Sequence, residues 1–201
     1  DSGTLTKTRE LHISYLPQTP IFDETITILE NVISGLTADE EYRNIAGEAR
    51  AMLTRLGIAN PDRIAAFLSG GQKKRAALVR TLLLPANLLV LDEPTNHLDA
   101  SMTEWLEDYL KSFSGAFIMI THDRYFLDRV ANRILEIDRG NLYSYTANYS
   151  RFLELKAERE EMTMATERKA KSLFRTELEW MMRGARARST KQKAHIGRFE
   201  A

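Results

Sequence analysis

Apolar residues over the first three quarters of the chain fall into short runs separated by amphipathic stretches, the rhythm of alternating strands and helices. Residues 4–16 alternate loosely through Leu5, Leu11, Ile13 and Tyr15, which predicts a short hairpin of half-buried strands ending at Leu16-Pro17-Gln18. Residues 26–56 predict helix, with Leu53, Leu56 and Ile58 toward the core, Gly57 as a stop and Asn60-Pro61-Asp62 as a turn. A helix over 69–84 is broken by Pro85 and feeds the apolar run 88–91, short enough for a buried parallel strand. A helix over 101–113, a strand over 116–121, a helix over 123–130 and strands near 134–137 and 142–145 follow.

After Asn148 the pattern changes to a charged stretch without glycine or proline as far as Arg183, in which Phe152, Leu155, Met162, Leu173, Leu178 and Met181 are scattered. One or two long helices are predicted, and Gly184 with Ser189-Thr190 predicts a break or sharp bend near 184–190. The chain is 43% hydrophobic and 28% charged, with no apolar run near the ~20 residues of a membrane helix. It contains no cysteine, which excludes disulfides and thiolate metal sites and fits a reducing compartment. Asp1-Ser2-Gly3 lacks the basic and apolar regions of a signal peptide, and an opening without Met is expected of a piece of a longer chain.

Net charge is zero, but its distribution is uneven: 15 Lys+Arg face 20 Asp+Glu over residues 1–150, and 13 face 8 over 151–201. Arg183, Arg186, Arg188, Lys191 and Lys193 occur with no acid among them. Such a block suits a polyanionic partner, and it equally suits a solvated helix face.

Candidate chemistry gathers at the predicted strand ends. Asp92-Glu93 closes the run 88–91, where the carboxyl end of a strand opens onto the ligand crevice of an α/β sheet. Asp92 would hold Mg²⁺, and Glu93 would polarise an attacking water as general base. Two solvated acids at a strand end are the plain alternative. Ser69-Gly70-Gly71, within Leu68-Ser69-Gly70-Gly71-Gln72, would open a helix whose free N–H groups meet phosphate oxygens, or Ser69 would simply be its N-cap. Thr121-His122-Asp123 places a histidine at a second strand end, and Gln18 would bridge metal and water. Nowhere does a G-x-x-x-x-G-K-[ST] loop occur.

In order and spacing, Leu16-Pro17-Gln18, the 68–72 pentapeptide, Leu88–Pro94, Asn96–Asp99 and Thr121-His122-Asp123 resemble the nucleotide-binding domain of ABC ATPases over residues 1–145. The resemblance implies an α/β, P-loop NTPase-type domain, incomplete because its phosphate-binding loop (Walker A) is missing, and Asp1-Ser2-Gly3-Thr4 looks like the segment a little downstream of that loop. It further implies ATP and Mg²⁺ held in a head-to-tail sandwich of two domains. Gln18, Asp92, Glu93 and His122 would act on the ATP of their own domain, whereas Ser69, Gly70, Gly71, Gln72 and Asp99 would complete the opposite site. Lacking the loop, this stretch alone is expected to be inactive as an ATPase, and the full-length protein active.

Asn96-His97-Leu98-Asp99 and 121–128 resemble the soluble ABC-F proteins, and 179–194 resembles the linker between their two cassettes, most closely in the short-arm, Uup-like branch. Membership implies a cytoplasmic translation factor that binds the ribosome near the exit-tRNA site, with a second ABC domain in the same chain and no membrane subunit. The division expected is 1–147 for the partial ABC domain and 148–201 for a basic helical linker. Arg183, Arg186, Arg188, Lys191 and Lys193 would then meet tRNA or rRNA. Trp180 would stack on a base or pack between linker helices. A transporter ATPase subunit and a DNA-binding or scaffold module are the competing classes, and charge alone does not separate RNA from DNA.

Overall fold

The structure, a computed structural model, describes residues 4, 6, 8–34 and 40–196, with side chains described throughout except at 40–44 and 177–196. Its elements are β1 (Ile13–Leu16), α1 (Ile28–Ile33), α2 (Glu40–Arg55), a 3-10 turn (Ala65–Phe67), α3 (Gly70–Leu83), β2 (Leu88–Asp92), α4 (Ala100–Ser112), β3 (Ala116–Ile120), α5 (Arg124–Val130), β4 (Ile134–Asp138), β5 (Asn141–Tyr145) and α6 (Tyr149–Ile196). They divide into two units, residues 1–132 and 133–201.

In the first unit the apolar run after Pro85 is the central strand of a parallel sheet ordered β1-β2-β3, with Ile13 opposite Leu88 and Leu88 opposite Ala116. Period-two alternation sends Leu16, Leu89 and Leu91 to one face, where they are buried with Ala77, Leu78 and Val79 of α3, Leu106 and Leu110 of α4 and Phe126 of α5. On the other face Ile13, Tyr15, Ile118 and Ile120 are exposed.

Among the described residues no hairpin forms over 4–16: only β1 is a strand there, and it pairs in parallel with β2, Ile13 opposite Leu88, beside a His12 N–H that donates to Asn87 Oδ1 at 3.0 Å. Alternation reports a half-buried strand without naming its partner. Likewise the helix expected over 26–56 is two: α1 ends where Ser34 turns extended, and residues 35–39 lie outside the described residues.

Local signals set the helix boundaries. Thr27 with Glu30 and Ser69 with Gln72 form capping boxes at α1 and α3, while Asp99 and Asp123 cap α4 and α5. After α2, Gly57 at φ 75° lets its own N–H reach Thr54 O at 3.0 Å and the Ile58 N–H reach Leu53 O at 2.8 Å, a Schellman stop.

In the second unit β4 and β5 form an antiparallel hairpin whose two-residue turn, Arg139-Gly140, has φ 48° and 78°. Asn148 Oδ1 accepts from the Arg151 N–H at 3.1 Å, and α6 then runs 48 residues without interruption. The break expected near 184–190 is therefore absent: one glycine costs a helix only ~1 kcal/mol, which the Met, Arg and Ala residues around Gly184 offset. At the start of α6, Glu136 accepts from Lys156, from Arg159 at 3.1 Å and from the Tyr145 hydroxyl at 3.2 Å. The Arg159 guanidinium lies 3.7 Å from the Tyr143 ring centroid, and Phe152 meets Tyr145 edge-on. Burial alone would raise the Glu136 carboxyl, but the Lys156 hydrogen bond and the two cations outweigh it and hold it below the usual carboxylate value.

Candidate functional site

The carboxyl ends of β2 and β3 bring Asp92, Glu93 and His122 to one edge of the sheet. Glu93 leaves β2 at φ 49°, a backbone region that side chains other than glycine rarely occupy. The turn is held on both sides: the Glu93 N–H donates to Ile120 O at 2.8 Å, and Glu93 O accepts from the Asn96 N–H at 3.3 Å. The Glu93 side chain is consequently buried, its Oε2 3.4 Å from the His122 N–H and its Oε1 3.6 Å from His122 Nε2. The His122 ring itself is open to solvent. A strained, buried acid beside an accessible imidazole is the arrangement expected of a group positioned for chemistry.

A second cluster forms at the N-terminus of α3. Ser69 Oγ accepts from the Gln72 N–H at 3.3 Å, and Gln72 Oε1 accepts from the Ser69 N–H at 3.0 Å, so the Gln72 side-chain oxygen is engaged within the helix start. The Ser69 hydroxyl still has its proton to donate. As first-turn residues, Gly70 and Gly71 have no intrahelical acceptor for their N–H groups. A methyl group at Gly70 would meet nothing within 4 Å, leaving room for a ligand, whereas one at Gly71 would lie 3.3 Å from the His97 ring.

His97, at φ 67°, packs the 95–99 loop onto this helix start, and its carbonyl accepts from Arg75 at 3.0 Å. Asp99 is placed as the N-cap of α4. Its carboxyl is held below the usual value first by the Met102 N–H and then by the Ser101 hydroxyl. The opposite-site role expected of Asp99 thus shares its carboxylate with helix capping.

Gln18 reaches the sheet edge through a residue that the sequence reading missed. Lys74 is 5% exposed, and its ammonium donates to Pro17 O and Asp92 O, both at 2.7 Å, with Gln18 O at 3.4 Å. Burial pushes its pKa below the usual lysine range, opposed by the Asp92 and Glu93 carboxylates. The available signal was its place in the stripe Lys74, Ala77, Leu78 and Thr81, whose spacing of three, four and seven puts a lysine on the buried face of α3.

The structure therefore brings Asp92, Glu93 and His122 together, with Gln18 joined to them through its carbonyl on Lys74, and separately Ser69, Gly70, Gly71 and Gln72 with the 95–99 loop. Arg183, Arg186, Arg188, Lys191 and Lys193 fall on α6, and their side chains, with that of Trp180, lie outside the described residues. Among the described residues no three or more His, Cys, Asp or Glu side chains form a metal-holding group, and no helix is long and apolar enough to cross a membrane.

A family described as ABC transporter matches residues 3–96, and a second, also described as ABC transporter, matches residues 135–201. The chain is 42% identical over 236 aligned residues to the ABC transporter ATP-binding protein YfmR of Bacillus subtilis, covering 100% of this chain and 38% of that protein. It is 38% identical over 198 residues to the energy-dependent translational throttle protein EttA of Haemophilus influenzae, covering 98% of this chain and 35% of that protein. The chain thus spans little more than a third of either relative. Among solved structures, a dimeric ATP-binding cassette in a post-hydrolysis state with ADP and phosphate aligns at TM-score 0.54 and 24% identity, over 69% of this chain and 64% of that one. That likeness fixes the fold as the α/β, P-loop type of ABC ATPases, and in both units the sequence matches models of the ABC transporter family.

Proposed function

We propose that this chain is part of an ATP-hydrolysing ABC-F protein that acts on the ribosome, residues 1–147 being the greater part of one cassette and 148–201 its linker. The observation that carries the reading is the buried Glu93 carboxylate, held by a strained backbone against His122 at the open edge of the sheet. Support for translation comes from the likeness to proteins named as translational throttles, from the 96–99 and 121–128 segments, and from the basic block on α6.

Bound ATP and Mg²⁺ would supply the phosphoryl group and the cation that neutralises charge during its transfer. The residues present fit them. Asp92 and Gln18 offer hard oxygen ligands at one edge, suited to an ion that takes its remaining ligands from phosphates and water. Glu93 accepts the proton of a water at its carboxylate, and His122 orients the same edge. Ser69 and the Gly70 and Gly71 N–H groups offer donors and the positive end of α3 to the phosphates of an opposing cassette. The second cassette, the cytoplasmic address and tRNA or rRNA contact by Arg183, Arg186, Arg188, Lys191 and Lys193 belong to the same proposal.

The test is sedimentation of ribosomes with the full-length protein carrying Glu93→Gln. Co-migration with 70S particles only when ATP is present is expected; its failure despite measured ATP binding sinks the ribosome reading in favour of a DNA-binding or scaffold role. A second reading, the ATP-binding subunit of a transporter, is favoured by the description of both matching families. It predicts that the full-length protein fractionates with membranes.

A further inference from the structure

Lysine is almost never fully buried unless its charge is met, and an ammonium has three donors to satisfy. Lys74 satisfies its donors with backbone carbonyls, while the Asp92 and Glu93 carboxylates favour its charge without accepting from it. Its Nζ lies 2.7 Å from Pro17 O, 2.7 Å from Asp92 O and 3.4 Å from Gln18 O, and the residue keeps 5% of its surface. No side-chain carboxylate is an acceptor among these contacts. Lys74 therefore differs from its neighbour Lys73, a half-buried lysine whose ammonium pairs with the exposed Glu24 at 2.6 Å.

The three carbonyls lie just beyond the paired ends of two neighbouring strands, where the β1–β2 ladder stops at Leu16 and Leu91. Pro17 and Gln18 follow β1, and Asp92 ends β2 one residue before the strained Glu93. The lysine that joins them sits on the second turn of α3, five residues after Ser69. Removing the ammonium takes from these part-buried carbonyls the donor that ties each segment to the helix, whereas an apolar residue of the same length fills the space alone.

Resting on the nucleotide reading above, we infer that Lys74 is a positioning residue for phosphoryl transfer, which locks the Gln18 and Asp92-Glu93 segments to the helix that carries Ser69, Gly70 and Gly71. In that reading α3 presents its N-terminus to the nucleotide of the opposing cassette, while Gln18, Asp92 and Glu93 serve the nucleotide of their own. One ammonium thus fixes the geometry of the metal and water-activating groups relative to the donors of the other site. A displacement of reacting groups by about 1 Å is enough to slow an enzyme on the order of a hundredfold, so loss of the lock falls on turnover more than on affinity.

The experiment compares steady-state ATPase rates of the full-length protein with those of Lys74→Met, Lys74→Gln and, as a control, Lys73→Met. Expected is a kcat at least tenfold lower for Lys74→Met and about threefold lower for Lys74→Gln, which keeps two N–H donors, with KM for ATP within threefold of the unmodified protein in both. Lys73→Met stays within twofold. If the methionine variant does not fold, the glutamine variant decides by the same criterion. An unchanged kcat in a folded Lys74 variant overturns the inference, as does a raised KM at constant kcat, which would assign Lys74 to binding. An unmodified full-length protein without ATPase activity overturns the functional reading and this inference with it.

Discussion

Residues 1–132 and 133–201 are held by different forces. In the first unit Leu16, Leu78, Leu89, Leu91, Leu106 and Phe126 keep 1% or less of their surface, and they fix the strand ends from which Asp92, Glu93 and His122 project. In the second, Phe152 is the one buried apolar side chain among the described residues, and α6 is fastened to its hairpin through Glu136, Lys156, Arg159, Tyr143 and Tyr145. Farther along α6, Met162, Leu173 and Phe174 are exposed. An apolar core resists salt, whereas a charge cluster at a surface weakens as ions screen it. One region is thus built to hold side chains at fixed distances and the other to hold a helix by its base.

The comparison is broken most severely by Phe126→Ala, which empties the centre of the first core. It should cost about 3–5 kcal/mol in urea unfolding, while Leu173→Ala on exposed α6 should stay within about 0.5 kcal/mol. Next in size is Glu136→Gln, which leaves Lys156 and Arg159 without their shared carboxylate. Amide exchange of the first turns of α6 should show opening made easier by about 1–3 kcal/mol. In 1 M salt the gap between the two proteins should narrow, a response that the core variant lacks.

The smallest effect is on pH. Asp23, Glu30, Asp62 and Asp99 are each held below the ordinary carboxylate value, by Thr25, Thr27, Arg50 and Met102 respectively as the leading donors. Their stabilisation is complete above the unfolded values, near pH 4, and is lost as pH falls through the lower folded values. Lys74 gives a slope of the same sign on the alkaline side, although there the shift costs stability at lower pH instead of adding it at higher pH. Its folded pKa lies below that of the unfolded chain, so the unfolded state binds more protons between the two, and stability rises with pH across that interval. Denaturant melts at graded pH should therefore show stability rising with pH in both the acid and the alkaline window.

Much of the first unit was legible because its signals are local. A run of four apolar residues after Pro85, the capping residue Ser69, and Gly57 after an amphipathic stretch each identify an element by themselves. What failed was long-range or marginal. The partner of β1 lies far along the chain, which alternation cannot specify, so a hairpin stood in for a parallel ladder. The break at Gly184 failed because a long helix absorbs one glycine. Within the site, Asp92-Glu93 and Ser69–Gln72 were legible as motifs. Lys74 was not, because its acceptors are backbone carbonyls that carry no residue identity, and the capping duties of Gln72 and Asp99 emerged only from geometry.

The strained, buried Glu93, proposed above as the base of an ATPase, is tested first by ATP turnover and ATP binding of the full-length protein before and after Glu93→Gln. Binding should be preserved and turnover lowered by at least a hundredfold, within the range of about 10²–10⁴ attributed to general-base catalysis. Turnover retained in the variant would contradict it.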